Sequence, residues 1–272
     1  MKKVILITGI SSGFGKQTAE LLAAKGHTVY GTVRGDAGVN TSINRLNLDL
    51  INIDSIKQAV QTVVQKEGRI DVLINNAGMH TGGPVETSPV EHIKLQMDTN
   101  FLGMVHLIRE VLPVMRQQGG GTIINFSSVM GLIGLPFQAF YSAAKFAIEG
   151  FSEALRMEVN KFNINVVLIN PGDFHTSNTA NRRKFLAPAI INDPYNEQFE
   201  KTMAIIEKDE TKGREPVVLA RKIVKIVDYK NPRQRYIIAT PDIKLAVVLK
   251  YILPGKWFRM ILESTYKIQK TI

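Results

Sequence analysis

Short apolar runs alternate with stretches of helical periodicity from Val4 to Ile169. The runs are rich in Val and Ile, which favours parallel strands that helices bury on both faces. Strands are predicted over Val4–Thr8, His27–Val33, a third run that closes at Leu46–Asp49, Asp71–Asn75, Thr122–Ser127, Asn165–Ile169 and Arg235–Thr240. Helices are predicted over Gly13–Lys25, Asp54–Glu67, Val90–Gln117, Phe140–Asn160 and Glu197–Asp209.

This order of elements predicts an α/β fold, a doubly wound parallel sheet of Rossmann type with about seven strands and helices on both faces. No repeat and no linker rich in Pro, Gly or Ser divides the chain, so we expect one domain over residues 1–272. Residues 173–216 break the alternation and follow the carboxyl end of a strand, where such sheets bind ligands. We expect this excursion to cover the ligand crevice.

Composition narrows the class of protein. Hydrophobic residues make up 44% and charged residues 21%, which is typical of a globular domain. The chain has no cysteine, which excludes disulfides and thiolate metal sites and suits a reducing, cytoplasmic location. No apolar run is long enough to span a bilayer. The five histidines lack metal-ligand spacing, so no metal is expected.

The net charge of +10 raises the question of a nucleic-acid partner. Residues 241–272 alone contain six bases and two acids, and therefore supply +4 of that charge. A nucleic-acid surface would interleave bases with aromatic residues or carry a known binding motif, and the sequence shows neither. We expect no nucleic-acid partner.

A glycine-rich loop joins the first predicted strand to the first helix. Residues 8–15 read Thr-Gly-Ile-Ser-Ser-Gly-Phe-Gly, with glycines in the order Gly-x-x-x-Gly-x-Gly. Glycines at this position permit a tight turn and let backbone N–H groups approach a pyrophosphate at the positive end of the helix. The alternative is an ordinary strand-to-helix turn, and the position of the loop directly after the first strand favours the phosphate site.

Three motifs together resemble the short-chain dehydrogenase/reductase family. They are the loop at residues 8–15, Asn75-Asn76-Ala77-Gly78, and Tyr141 followed four residues later by Lys145. The resemblance extends from residue 3 to about residue 240. The segment Gly134–Phe146 is most similar to the hydroxysteroid and retinol dehydrogenase branch. The family implies a nicotinamide cofactor and assembly into a dimer or tetramer.

The residue at the end of the second predicted strand indicates whether the cofactor is NAD or NADP. An acid there would bind the ribose hydroxyls of NAD and repel the 2′-phosphate of NADP, but the sequence has Arg34, whose planar fork suits a phosphate. NADP(H) is therefore predicted. The resemblance implies further cofactor contacts from Gly9, Ser11, Ser12, Gly13, Phe14 and Gly15 in the loop, Asp49 and Leu50 at the adenine, Asn76, Ala77 and Gly78 at its ribose, and Pro171, Gly172, Phe174 and Thr176 at the nicotinamide.

Tyr141 and Lys145 share one face of a predicted helix that follows Ser127 and Ser128 at the end of the fifth strand. Tyr266 and Lys270 have the same spacing without such neighbours. A phenol has a pKa of about 10, too high for proton exchange near neutrality, and a nearby ammonium lowers it. A serine hydroxyl stabilises charge that develops on a carbonyl oxygen.

The resemblance implies a role for each of these side chains. Tyr141 is the acid/base, Lys145 tunes it and binds the nicotinamide ribose, and Ser128 polarises the carbonyl. Ser128 is preferred to Ser127 because it lies thirteen residues before Tyr141, the family's interval. Asn100 is expected to anchor a water in a proton relay, with a purely structural role as the alternative.

The predicted activity is interconversion of a lipophilic ketone and a secondary alcohol. Four apolar residues before the catalytic helix would form the substrate pocket: Leu132, Ile133, Leu135 and Phe137. One alternative is reduction of a 3-ketoacyl thioester or of a 3-ketosphingoid base. A non-catalytic dinucleotide sensor is an alternative of another class, but such a sensor has no need of the complete set of Ser128, Tyr141, Lys145 and Asn100.

Residues 242–272 are predicted to form an amphipathic helical tail. From Lys256 to Lys270 the apolar face consists of Trp257, Phe258, Ile261, Leu262 and Thr265. With bases on its other side, such a helix can lie on an anionic membrane as a peripheral contact. The alternative, that this face covers the domain or a partner subunit, stays open.

Overall fold

Seven parallel strands form the centre of the protein. The computed structural model describes residues 1–35, 41–175 and 193–268. The strands are β1 Val4–Thr8, β2 Thr28–Val33, β3 Asn44–Asn47, β4 Val72–Asn75, β5 Gly121–Phe126, β6 Ile164–Pro171 and β7 Arg235–Ile238. The helices are α1 Gly13–Ala24, α2 Ile53–Glu67, α3 Val90–Met97, α4 Gly103–Gln117, α5 Ala139–Val159, α6 Asn196–Thr211, α7 Pro216–Asp228, α8 Pro241–Ile252 and α9 Gly255–Thr265.

The sheet has the order β3-β2-β1-β4-β5-β6-β7. Chain order runs outward in one direction from β1 to β3 and in the other from β4 to β7, so it reverses between β1 and β4. The predicted α/β doubly wound fold is therefore confirmed. In such sheets a crevice opens at the carboxyl ends of the strands beside this reversal.

Alternate residues of each central strand pack against helices on opposite faces. Val4 and Leu6 of β1 belong to a core with residues of α2, α4 and α5. Ile5 and Ile7 belong to a second core with residues of α1 and α7. Burial on both faces explains why β1 reads as a continuous apolar run.

The stretch predicted as one helix over Val90–Gln117 is divided. A π-helical turn over Asp98–Leu102 separates α3 from α4. Such turns shift the register of the side chains that follow and occur frequently at functional sites. The helical periodicity of the sequence therefore located this segment and did not reveal its break.

The C-terminal part, which was predicted as a helical tail, contains two helices. Two helices, α8 and α9, pack with the segment after β5 through a small core of Leu132, Ile133, Val247 and Phe258. Helix α9 ends at Thr265, because Lys267 has a left-handed backbone (φ 53°). Prediction of a helix that continues to Lys270 was wrong, and residues 269–272 lie outside the described ranges.

Candidate active site

A cavity of about 820 Å³ opens at the carboxyl ends of the strands. The loops after β1, β2, β3 and β4 line one part of it, helices α6, α8 and α9 line another, and the loops after β5 and β6 contribute to both. The first part contains most of the predicted cofactor residues, and the second contains apolar and acidic side chains. Tyr141 and Ser128 also line this cavity.

The loop after β1 is built on close backbone contact. A Cβ atom at Gly15 would lie 2.1 Å from the carbonyl oxygen of Gly9, so only glycine fits there. Gly9 has a φ of +73°, and a Cβ on it would lie 2.8 Å from the Cα of Ala77. Asn76 fixes the same loop, because its amide donates to the carbonyls of Thr8 (2.9 Å) and Gly9 (3.0 Å). The two sequence motifs thus hold each other in place.

The amino end of α1 meets the requirements of a phosphate site. Its first turn contains no acidic side chain, and the Ser12 side chain does not cap it. Ser11, Ser12, Gly13 and Phe14 line the cavity there. A Cβ at Gly13 would meet nothing within 4 Å, so the cavity is open at this point. The loop therefore fits the pyrophosphate of a dinucleotide.

Most of the other predicted cofactor residues lie on the same wall. Those that line the cavity are Gly9, Arg34, Asp49, Leu50, Asn76, Ala77, Gly78, Tyr141, Lys145, Pro171, Gly172 and Phe174. Gly15 lies behind the wall, buried under Gly9. Thr176 lies outside the described residues.

Tyr141 and Lys145 lie one turn apart on α5, as predicted. The Lys145 ammonium is 5.5 Å from the centre of the Tyr141 ring and donates to the Phe126 carbonyl at 2.8 Å. Burial lowers the pKa of Lys145 to about 8, and the nearby Glu149 carboxylate acts in the opposite direction. Ser128 follows β5, lines the same cavity, and accepts a hydrogen bond from the Met130 N–H at 3.1 Å.

A buried charged network lies behind the lysine. Glu149 accepts hydrogen bonds from Asn170 (2.6 Å) and Arg235 (2.6 Å). Asn170 also donates to the backbone carbonyl of Ser128 at 2.9 Å. The network therefore joins α5 to the strand ends β6 and β7 and holds the Ser128 backbone. No motif in the sequence identified these residues, although Glu149 lies four residues after Lys145, on the same helical face.

Asn100 lies in the π-helical turn and does not line the cavity. Its amide oxygen accepts from the Met79 N–H, and its amide nitrogen donates to the Met79 carbonyl, both at 2.7 Å. This pair of bonds fixes the loop after β4, immediately before His80. Such a structural role was the alternative in the sequence analysis, and the water-anchoring role stays a prediction.

His80 was not predicted at all. Its ring is stacked on that of Tyr141, with centroids 3.8 Å apart. No spacing in the sequence relates the two residues, since one follows β4 and the other lies on α5. Only the fold brings them together.

The second part of the cavity is amphipathic. Its apolar wall consists of Ile133, Leu135, Ile243, Ala246, Leu249, Phe258, Ile261 and Leu262. Four acidic residues line it as well: Asp173, Asp209, Glu210 and Asp242. Burial and these neighbouring carboxylates raise the pKa of Asp173 to about 6. Among the described residues that line this second part of the cavity, the basic one is Lys212.

Comparison with known proteins agrees with this geometry. The family model described as short chain dehydrogenase matches residues 3–187. A 3-ketodihydrosphingosine reductase from Bacteroides thetaiotaomicron is 44% identical over 267 residues, which cover 98% of this chain and 99% of the relative. Retinol dehydrogenase 8 from Bos taurus is 32% identical over an alignment that covers 86% of this chain and 80% of the relative. A short-chain dehydrogenase structure from Streptomyces avermitilis superposes with a TM-score of 0.82 at 27% identity, covering 99% of this chain and 100% of that one.

Proposed function

Because the chain belongs to the short-chain dehydrogenase family, we propose that it reduces the ketone of a 3-ketosphingoid base with NADPH. The observation that carries the proposal is the 44% identity, over nearly the whole of both chains, to a 3-ketodihydrosphingosine reductase. The sequence motifs favour a lipophilic ketone in general, with a 3-ketosphingoid base as an alternative. The comparison supports the alternative better.

The chain's own residues supply the proton and the orientation for this reaction. NADPH, when bound, supplies the hydride that reduces the carbonyl carbon. Tyr141 then gives its phenolic proton to the carbonyl oxygen, which becomes the alcohol. Ser128 donates a hydrogen bond to that oxygen and stabilises the negative charge as it develops. The Lys145 ammonium, which lies beside the phenol, stabilises the phenolate that remains.

The second part of the cavity favours a sphingoid base over a thioester. A 3-ketosphingoid base has a long alkyl chain and an amino group on the carbon next to the ketone, and this amine is protonated at neutral pH. The apolar wall suits the alkyl chain, and Asp173 with its acidic neighbours suits the ammonium. A 3-ketoacyl thioester has no cationic group for these carboxylates to bind.

A panel of three ketones of equal chain length tests the substrate. We expect the free amino ketone to exceed its N-acetylated form and a 3-ketoacyl thioester by about tenfold or more in kcat/KM, the worth of one charge-assisted hydrogen bond. Asp173→Asn should abolish this preference.

In the parent, KM for the amino ketone should fall as pH rises through about 6, because Asp173 becomes ionised there. NADPH oxidation measures each rate.

Two outcomes would contradict this substrate. Equal or faster turnover of the thioester would favour the other alternative, and turnover of none of the three would leave only the family assignment. Tyr141→Phe controls for reduction at another site, since loss of a general acid costs roughly 10²–10⁴-fold.

The preference for NADPH is proposed to rest on Arg34, which lies on the cavity wall at the end of β2. Arg34→Asp should lower the ratio of kcat/KM for NADPH to that for NADH by about 10- to 100-fold, because the lost contact joins two charged groups. Arg221→Asp on α7 is the control, since it changes the net charge equally and does not line the cavity. An unchanged ratio in Arg34→Asp would exclude Arg34 as the phosphate ligand.

We also propose that helices α8 and α9 contact the membrane that holds the substrate. The two helices carry seven exposed apolar residues, which we together call the tail surface: Leu245, Val248, Tyr251, Ile252, Trp257, Met260 and Ile261. Ile261 also lines the cavity, so the surface reaches the substrate site. Lys244, Lys256 and Arg259 lie on the same two helices and are exposed, which suits anionic lipid.

A further inference from the structure

The phenol of Tyr141 is held by a second ring. His80 is 5% exposed, and its imidazole lies on the phenol with an angle of 20° between the planes. Both residues line the cavity. A buried ring in parallel contact restricts tilt and rotation of the phenol, because displacement of either ring would open a void in a close-packed region.

Gln138 fixes the imidazole in turn. Its side-chain oxygen contacts His80 Nε2, and its side-chain nitrogen donates to the sulfur of Met203 at 3.2 Å. A thioether sulfur accepts hydrogen bonds and cannot donate them, so the NH₂ end of the amide faces Met203 and the oxygen faces the ring. Nε2 of His80 therefore carries a hydrogen, and the ring keeps one orientation.

The backbone around Gln138 is closely constrained. Phe137 has a φ of 58°, a left-handed conformation that costs a residue other than glycine on the order of 1 kcal/mol. The Gly83 N–H donates to the Phe137 carbonyl at 2.9 Å, and a Cβ at Gly82 would lie 2.8 Å from the Gln138 amide nitrogen. Such a conformation persists only where the surroundings determine it, and it is common at active sites.

We propose that His80 is a positioning residue for the acid/base Tyr141. Held by Gln138, it keeps the phenol aligned with the substrate oxygen, so that the proton is transferred without prior reorientation of the ring. The inference rests on the proposed role of Tyr141 in the reduction. A role limited to packing would affect stability and leave the chemical step unchanged.

Kinetics of three variants separate positioning from packing. His80→Ala should lower kcat by about 10- to 100-fold, the cost of misplacing a reacting group by an ångström, with KM for NADPH unchanged. The double variant with His80→Phe and Gln138→Leu keeps a stacked ring and leaves no unpaired amide oxygen, so it should recover most of the lost rate. His27→Ala is the matched control: His27 is similarly buried (8% exposed), and its ring accepts from the Lys3 N–H at 3.2 Å, between β1 and β2.

We expect His27→Ala to lower the melting temperature without lowering kcat. The proposal is overturned if His80→Ala lowers only the melting temperature, as the control does, or if the ring-preserving double variant is as slow as His80→Ala.

A second measurement needs no substrate and so remains valid if the proposed ketone is wrong. Fluorotyrosine incorporated into the whole chain gives a ¹⁹F spectrum in which the Tyr141 signal is identified by its loss in Tyr141→Phe. That signal should be narrow in the parent and in the double variant, and broad or shifted in His80→Ala, because the phenol samples several orientations there. An unchanged signal in His80→Ala overturns the positioning role, whatever the substrate proves to be.

Discussion

Lys145 is a buried base whose charge the proposed chemistry requires. It is 7% exposed, and burial lowers the pKa of its ammonium to about 8. The ammonium is therefore present below about pH 8 and is lost as pH rises through that value. Glu149 opposes this loss, since its carboxylate favours the charged form. Ketone reduction should accordingly decline above about pH 8.

Glu149→Gln should move that decline to lower pH by on the order of one unit, because it removes a negative charge that stabilises the ammonium. The glutamine oxygen can still accept from Asn170, so the change is mainly one of charge. The profile of log kcat/KM against pH measures the shift in the free enzyme.

Glu153→Gln is the matched control for this prediction. Glu153 also accepts from Arg235, at 3.0 Å, but it does not contribute to the pKa shift of Lys145. Its profile should coincide with that of the parent. If both variants moved the profile equally, the effect would come from Arg235; if neither moved it, another group would limit the reaction.

At the scale of elements, the sequence predicted what local periodicity and buried runs determine. Strands β1 and β4 are apolar up to their last residue because both faces are covered, and the i, i+4 spacing on α5 located Tyr141 and Lys145. The edge strand β3 ends at Asn47, two residues before the predicted end at Asp49, and most of its side chains are exposed and carry little apolar signal. Helix α7 was overlooked although Pro216 begins it and apolar residues repeat along it.

Features that depend on contact between distant elements could not be predicted in this way. The stacking of His80 on Tyr141 joins the loop after β4 to α5, and the Glu149–Arg235 pair joins α5 to β7. The π-helical turn at Asp98–Leu102 lies inside the stretch that the sequence predicted as one helix. Each of these three features lies beside residues that the motifs identified. The sequence therefore located the candidate site but not the contacts that hold its residues in place.

At the scale of the whole molecule, the tail surface on α8 and α9 reaches the cavity through Ile261, which belongs to both. Among the described residues, no helix is long and apolar enough to cross a membrane. The face predicted for α9 is divided: Phe258 is buried in the core beneath, while Trp257 and Ile261 are 60% and 44% exposed. The burial of Phe258 supports the interpretation that this face covers the domain, and membrane contact of its exposed residues stays a proposal. Assembly into a dimer or tetramer remains a proposal, and it offers the tail surface a second possible occupant.

Sedimentation with lipid vesicles decides between a membrane and a second copy of the chain. We expect the full chain to bind vesicles that contain anionic lipid at low salt and to be released as salt screens the bases. Lys256→Gln should weaken binding about fivefold, given roughly 1 kcal/mol per base at a charged surface. Trp257→Ser should weaken it on neutral and anionic vesicles alike, whereas Met157→Ser, which alters an even more exposed apolar residue on α5 (76%), should not. If the chain stays in the supernatant with anionic vesicles at low salt, and Trp257→Ser instead lowers its mass in analytical ultracentrifugation, the tail surface is an interface between subunits.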